Sequence, residues 1–232
     1  MFRIRNLMIC LIAVLLSGLA NPGQQALASD ADHVIHMQSG QMALELVGQV
    51  NNSGSPAPLG SSIQYGYVSA LNGLDNVFSG TPEDESTARF TFYTEVSTTR
   101  VTTHGPFSIV IREGSTTLYL NSLSATFATP DSFRSGMPIQ VSAIHQQVIV
   151  DTVEKTFTVV NINTIMSSWR FLLDGQMLKI GAPGEGFRTS LQGVLFVRSG
   201  GVPPPTGHFA GYAVGVRNDD PNERKDDHRP KD

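Results

Sequence analysis

The chain predicts an all-β protein, an antiparallel meander of about ten strands, and three observations carry that reading. Segments of roughly four to twelve residues rich in Val, Ile, Thr, Phe and Tyr recur between Gly, Pro, Asn, Asp and Ser, and almost none spaces apolar residues at helical intervals. In TARFTFYTEV, Ala88, Phe90, Phe92 and Val96 fall on one face while Arg89, Thr91, Tyr93 and Glu95 fall on the other, the period of two of a half-buried strand. Between RFLL and QMLKI lies Asp174-Gly175, the residue pair that a two-residue type I′ hairpin prefers because both central positions need positive φ.

Residues 1–28 open with MFRIRN, continue as an apolar run of about fourteen residues and end at Ala26-Leu27-Ala28, in the order of a secretory signal peptide. The run is too short for the roughly 20 residues that span a bilayer, so no membrane span is expected after cleavage. The only cysteine, Cys10, leaves with it, and the exported chain has neither a disulfide nor a thiol nucleophile. Its stability must then come from its core, for which roughly 200 residues in one domain suffice.

Residues 29–40, SDADHVIHMQSG, are polar and aperiodic and read as a loose leader. A single β domain follows over 41–216. Its candidate strands are 41–50, 61–70, 87–103, 106–113, 115–121, 138–151, 156–166, 169–173, 176–181, 187–197 and 207–216. NNSGSPAPLG, 51–60, reads as a flexible surface loop. Phe107, Ile109 and Ile111 repeat the alternation, and Gly114 is expected to turn that strand sharply into STTLYLN. Thr129-Pro130-Asp131 starts a turn or single helical turn in 128–138. Trp169 and Arg170 open the Asp-Gly hairpin, where an indole is expected in the core. GAPGEG, 181–186, lacks the Lys and the following helix of a phosphate-binding loop. After the proline spacer GGVPPPTG and the last strand, residues 217–232 form a tail of mixed charge that reads as disordered.

Short connections force antiparallel neighbours, and an open sheet of this size would leave long edges and a wet face. A closed barrel is therefore the preferred arrangement, ahead of a sandwich. A transmembrane barrel needs a polar lumen. IQVSAIHQQVIV instead places Ile139, Val141 and Ile149 on one face and Ile144, Val148 and Val150 on the other, so the inside is apolar as well.

Several functions drop out. Lys and Arg number 16 against 20 Asp and Glu, with no basic stripe for nucleic acid. The mature chain has no G-x-S-x-G elbow. His33 and His36 share the leader with Asp30 and Asp32 but read as surface residues, and neither a metal nor an organic cofactor is expected. Glu95 with Tyr93, and Glu113 beside Arg112, read as solvated strand faces.

One hairpin keeps a functional possibility open. In HQQVIVDTVEKTFTVVNINTI, closing the turn with Asp151 and Thr156 sets Gln146 opposite Asn161 and Ile144 opposite Asn163. Those residues share a face with Val148, Val150, Phe157 and Val159, while His145 and Gln147 share the other with Ile149, Val160 and Ile162. Amides on an inward face need hydrogen-bond partners, from one another, from water or from a ligand. Gln146, Asn161, Asn163, His145 and Gln147 are thus the candidate ligand-binding residues, and a small, partly apolar molecule is the candidate partner. The leading expectation is a secreted, soluble barrel that binds such a molecule, in the periplasm or outside the cell. The alternatives are a cofactor-free acid–base enzyme in the same cavity, and an envelope or matrix interaction protein with a filled core. Oligomeric state and catalytic residues are not legible.

Overall fold

A computed structural model describes residues 33–53, 60–196 and 206–216. The expected signal peptide 1–28, the tail 217–232, most of the 51–60 loop and most of the proline spacer lie outside the described residues. Eleven strands are described: β1 (His33–Ile35), β2 (Met42–Ser53), β3 (Ser61–Leu71), β4 (Phe90–His104), β5 (Phe107–Leu120), β6 (Met137–Asp151), β7 (Thr156–Ser168), β8 (Phe171–Leu173), β9 (Gln176–Ile180), β10 (Gly186–Leu195) and β11 (Gly207–Val216).

Eight of them close an antiparallel barrel in the order β2-β3-β4-β5-β6-β7-β10-β11, with β11 returning to β2. The meander is interrupted once, between β7 and β10, where β8 and β9 leave to pair with β1 in a separate three-stranded sheet. Closure gives every long strand two partners, which removes the exposed edges. The Asp174-Gly175 turn joining β8 to β9 has φ of 48° and 82°, as its sequence requires.

The small sheet covers the barrel end at which β4, β6 and β10 begin. Phe171 of β8 lies edge-on to Phe90 of β4, with ring centroids 5.8 Å apart. Gln140 of β6 donates to the Ile180 carbonyl at 3.0 Å. Ile35, Leu178 and Ile180 join the barrel residues Phe90, Leu118 and Ile165 in one buried cluster. On the outside, the 3₁₀ turn Pro130–Arg134, entered through Thr129, buries Phe133 against Tyr65 and Phe127.

Three expectations change, and the alternation of Phe107, Ile109 and Ile111 holds. Residues 33–35 are not loose: they form β1, parallel to β9, with Ile35 level with Ile180. No reversal occurs at Gly114; β5 runs straight through it. The glycine serves close approach instead, since a Cβ there would lie 2.0 Å from the Glu95 carbonyl oxygen of β4. Trp169 is 47% exposed and not in the core. Phe107, Ile109 and Ile111 sit level with Asp151, Ile149 and Gln147 on the outer face, whereas Ser108, Val110 and Arg112 sit level with the inward Val150, Val148 and Gln146.

Candidate functional site

The register of five strands sets a polar row inside the barrel. Thr98 of β4 pairs with Arg112 of β5, Arg112 with Gln146 of β6, Gln146 with Asn161 of β7, and Asn161 with Thr189 of β10. Because side chains alternate along a strand, residues level across neighbouring strands share a face, and here that face is the inner one. Moving from this row toward the β6–β7 turn, the inward residues become apolar: Val110, Val148 and Val159, then Val150 and Phe157.

The amides satisfy one another across the barrel. Gln64 Nε2 of β3 donates to Gln146 Oε1 at 2.9 Å, and Gln146 Nε2 donates to Gln64 Oε1 at 3.2 Å and to Asn161 Oδ1 at 3.1 Å. Asn163, two residues deeper, donates to the Phe187 carbonyl at 3.2 Å and to Thr189 Oγ1 at 3.0 Å. Gln146, Asn161 and Asn163 are all buried.

Arg112 completes the row. Its Nη2 donates to Asn52 Oδ1 of β2 at 2.9 Å, its Nη1 to Gln146 Oε1 at 3.4 Å and its Nε to Thr98 Oγ1 at 3.4 Å. All three acceptors are neutral, and among the described residues no carboxylate lies within 4.0 Å of the guanidinium. Burial pulls its pKa down to about 10, which leaves it charged at neutral pH.

Two small cavities flank the amide row. One, of about 30 Å³, lies toward the apolar end and is lined by Val50, Asn52, Arg112, Val148, Phe157 and Phe209 among others. The other, of about 40 Å³, lies among Leu44, Phe92, Thr116, Asn161, Asn163 and Phe187. Gln64 borders both and separates them. Each has room for a few water-sized groups, far less than the roughly 300 Å³ of a drug-sized pocket. Among the described residues, no Asp, Glu or His lines either one. Larger depressions of about 270 and 410 Å³ lie at strand ends outside the barrel. Arg89, a cation lining the first, is already paired with Asp174 at 2.7 Å.

The structure therefore divides the five candidate residues. Gln146, Asn161 and Asn163 face inward and belong to the amide row. Gln147 faces outward and is exposed, and so does His145, whose Nδ1 lies 3.4 Å from Glu113 Oε1 on the surface. The acid–base candidates also lie outside. Glu95 is exposed, and Tyr93 is buried beneath Arg134, whose guanidinium carbon stands 4.7 Å from the ring centre. His36 binds Glu185, which also accepts the Met37 N–H at 3.2 Å and so pins the segment after β1. Among the described residues no group of three His, Cys, Asp or Glu is arranged to hold a metal.

No family model, curated protein or solved structure matches the chain. The site is accordingly read from its own chemistry.

Sequence reasoning missed Arg112, although a signal for it exists. Carrying the period of two back from Leu120 and Leu118 through Thr116 and Gly114 reaches Arg112 on the same inward face. Treating Gly114 as a turn broke that phase.

Proposed function

We propose that this barrel is a secreted binding protein that holds a small, partly apolar molecule at the Arg112 end of its interior, after export through the 1–28 leader. The observation that carries the reading is the make-up of the 30 Å³ cavity. Aliphatic and aromatic side chains form its wall, and Asn52, Gln64 and Arg112 supply its polar corner. That combination fixes one polar end of a guest and shelters its hydrocarbon. General acid–base catalysis wants His, Glu, Asp or Tyr within hydrogen-bond reach of substrate, and among the described residues none lines either inner cavity. This supports binding over catalysis. The volume sets the scale of the guest: its polar head occupies the cavity, and its body lies against Val50, Val150 and Leu195 nearer the strand ends.

Native mass spectrometry of the protein purified from its own host tests the reading, with a released small molecule as the expected result. The small volume favours one other reading, an envelope or matrix interaction protein with a filled interior. Repeated adduct-free spectra, with no small molecule raising the melting temperature, would favour that alternative and remove the first.

A further inference from the structure

We propose that the guest is an anion, a carboxylate on a short apolar chain, and that the Arg112 guanidinium binds its head group. The inference rests on reading the barrel as a binding protein and adds the ligand's chemical class.

The charge of Arg112 is unbalanced among the described residues. The chain carries 20 acidic residues, yet none of those described is placed at this guanidinium. Its sequence neighbour Glu113 points to the opposite face, toward His145. A cation taken out of water is expensive unless an anion and hydrogen bonds replace its hydration. Among the described residues only neutral oxygens accept from Arg112, and two of its three hydrogen bonds are long, at 3.4 Å. Guanidinium N–H groups therefore remain over, in the planar fork that matches a carboxylate.

The surroundings hold that fork in place. Asn52 Nδ2 and its backbone N–H both donate to Thr206 Oγ1, at 2.9 and 3.1 Å, and Thr206 in turn donates to the Val50 carbonyl at 3.0 Å. With its amide nitrogen so engaged, Asn52 turns Oδ1 toward Arg112. Gln146 Oε1, fixed by Gln64, holds the second guanidinium nitrogen. A side chain that merely filled space would need no such support.

Size and polarity narrow the class. A cation is repelled. A neutral alcohol or amide would meet the hydrogen bonds but leave the charge unbalanced. A phosphate ester carries more charge and hydration than a cavity of about 30 Å³ with a Val, Leu and Phe wall accommodates. A carboxylate fits, and the wall suits a few methylenes behind it.

The test is calorimetric titration of the full chain with hexanoate and, as its uncharged isostere, hexanamide. Hexanoate should bind at least about tenfold more tightly than hexanamide. In Arg112→Met that preference should vanish, and in Arg112→Lys part of it should remain. Asn52→Ala, which keeps the cation but frees its fork, should weaken hexanoate several-fold and serves if Arg112→Met does not fold. Equal binding of the two probes to the wild-type protein overturns the anionic class and leaves the binding reading standing. Binding of neither, with no small molecule released from host-purified protein, removes both.

Discussion

Gln64 and Gln146 exchange two amide hydrogen bonds across the barrel, at 2.9 and 3.2 Å, although 82 residues separate them in the chain. This reciprocal pair ties β3 to β6 through the interior and not through the sheet. Gln146 also serves Asn161 and Arg112, so one side chain joins three others.

That connectivity predicts a non-additive mutational response. Gln146→Leu leaves buried groups on Gln64, Asn161 and Arg112 without a partner, and each unmet group costs about 1–3 kcal/mol. Unfolding in urea should show a loss of about 2–4 kcal/mol, at the low end where water rescues a partner. Gln64→Leu added to it removes both stranded groups of Gln64, so the double variant should lose less than the sum of the singles. Strict additivity would mean the two amides are not coupled.

Arg112→Met should leave the barrel as stable as before or make it more stable, because it removes a partly buried cation with no acid partner. The sign follows from linkage. Burial lowers the folded-state pKa from the usual arginine range to about 10, so the charged form is disfavoured in the folded barrel. That destabilising contribution is full below about pH 10 and is relieved as pH rises from there toward the ordinary arginine pKa. The melting temperature of the variant, compared with the wild type, should be equal or higher at pH 7. Any gain should narrow at pH 11. A variant several degrees less stable at pH 7 would show that the hydrogen bonds of Arg112 outweigh its desolvation.

The contrast between Gln146 and Arg112 explains what was legible in the sequence. The β6–β7 register follows from local signals, a turn closed by Asp151 and Thr156 and a period of two on both sides, and the structure has that pairing and that inward face. Arg112 depends on whether β5 is one strand or two. Gly114 is equally at home in a turn and in a close strand crossing, and only the proximity of Glu95 distinguishes them. Three-residue β1 is beyond local reading for a related reason. A parallel strand of that length has no pattern of its own and exists through its pairing with β9. Gln64 and Asn52 likewise lie on strands far from the hairpin in sequence, and only closure of the barrel brings them to Gln146 and Arg112.

Phe133 anchors a second, outer cluster, and truncating it should be costly. It is fully buried, with ring centroids 5.5 Å from Tyr65 and 4.9 Å from Phe127, and its carbonyl accepts a 2.8 Å hydrogen bond from Thr91. Phe133→Ala should cost about 3–5 kcal/mol in denaturant unfolding. Burial holds the phenol pKa values of Tyr65 and Tyr93 above the usual tyrosine range. Opening the cluster should bring both down, which an ultraviolet titration of the variant would detect. An unchanged titration with lost stability would mean that the 121–134 segment closes over the gap.

The pH dependence of carboxylate binding should carry the signature of one titrating partner. Arg112 stays protonated up to about pH 10, so it contributes no change between pH 5 and 9. Among the described residues no Asp, Glu or His lines the cavity. The only group left to titrate in the acid range is the ligand's own carboxylate, whose pKa lies at about 4–5, as for side-chain carboxylates. Hexanoate affinity should therefore be flat from pH 9 to about 6, then fall tenfold per pH unit once the acid form predominates. Above pH 10 it should decline again as Arg112 loses its proton. Hexanamide should show neither limb. A midpoint near pH 6.5 would show instead that a group of the protein, and not the ligand, titrates with binding.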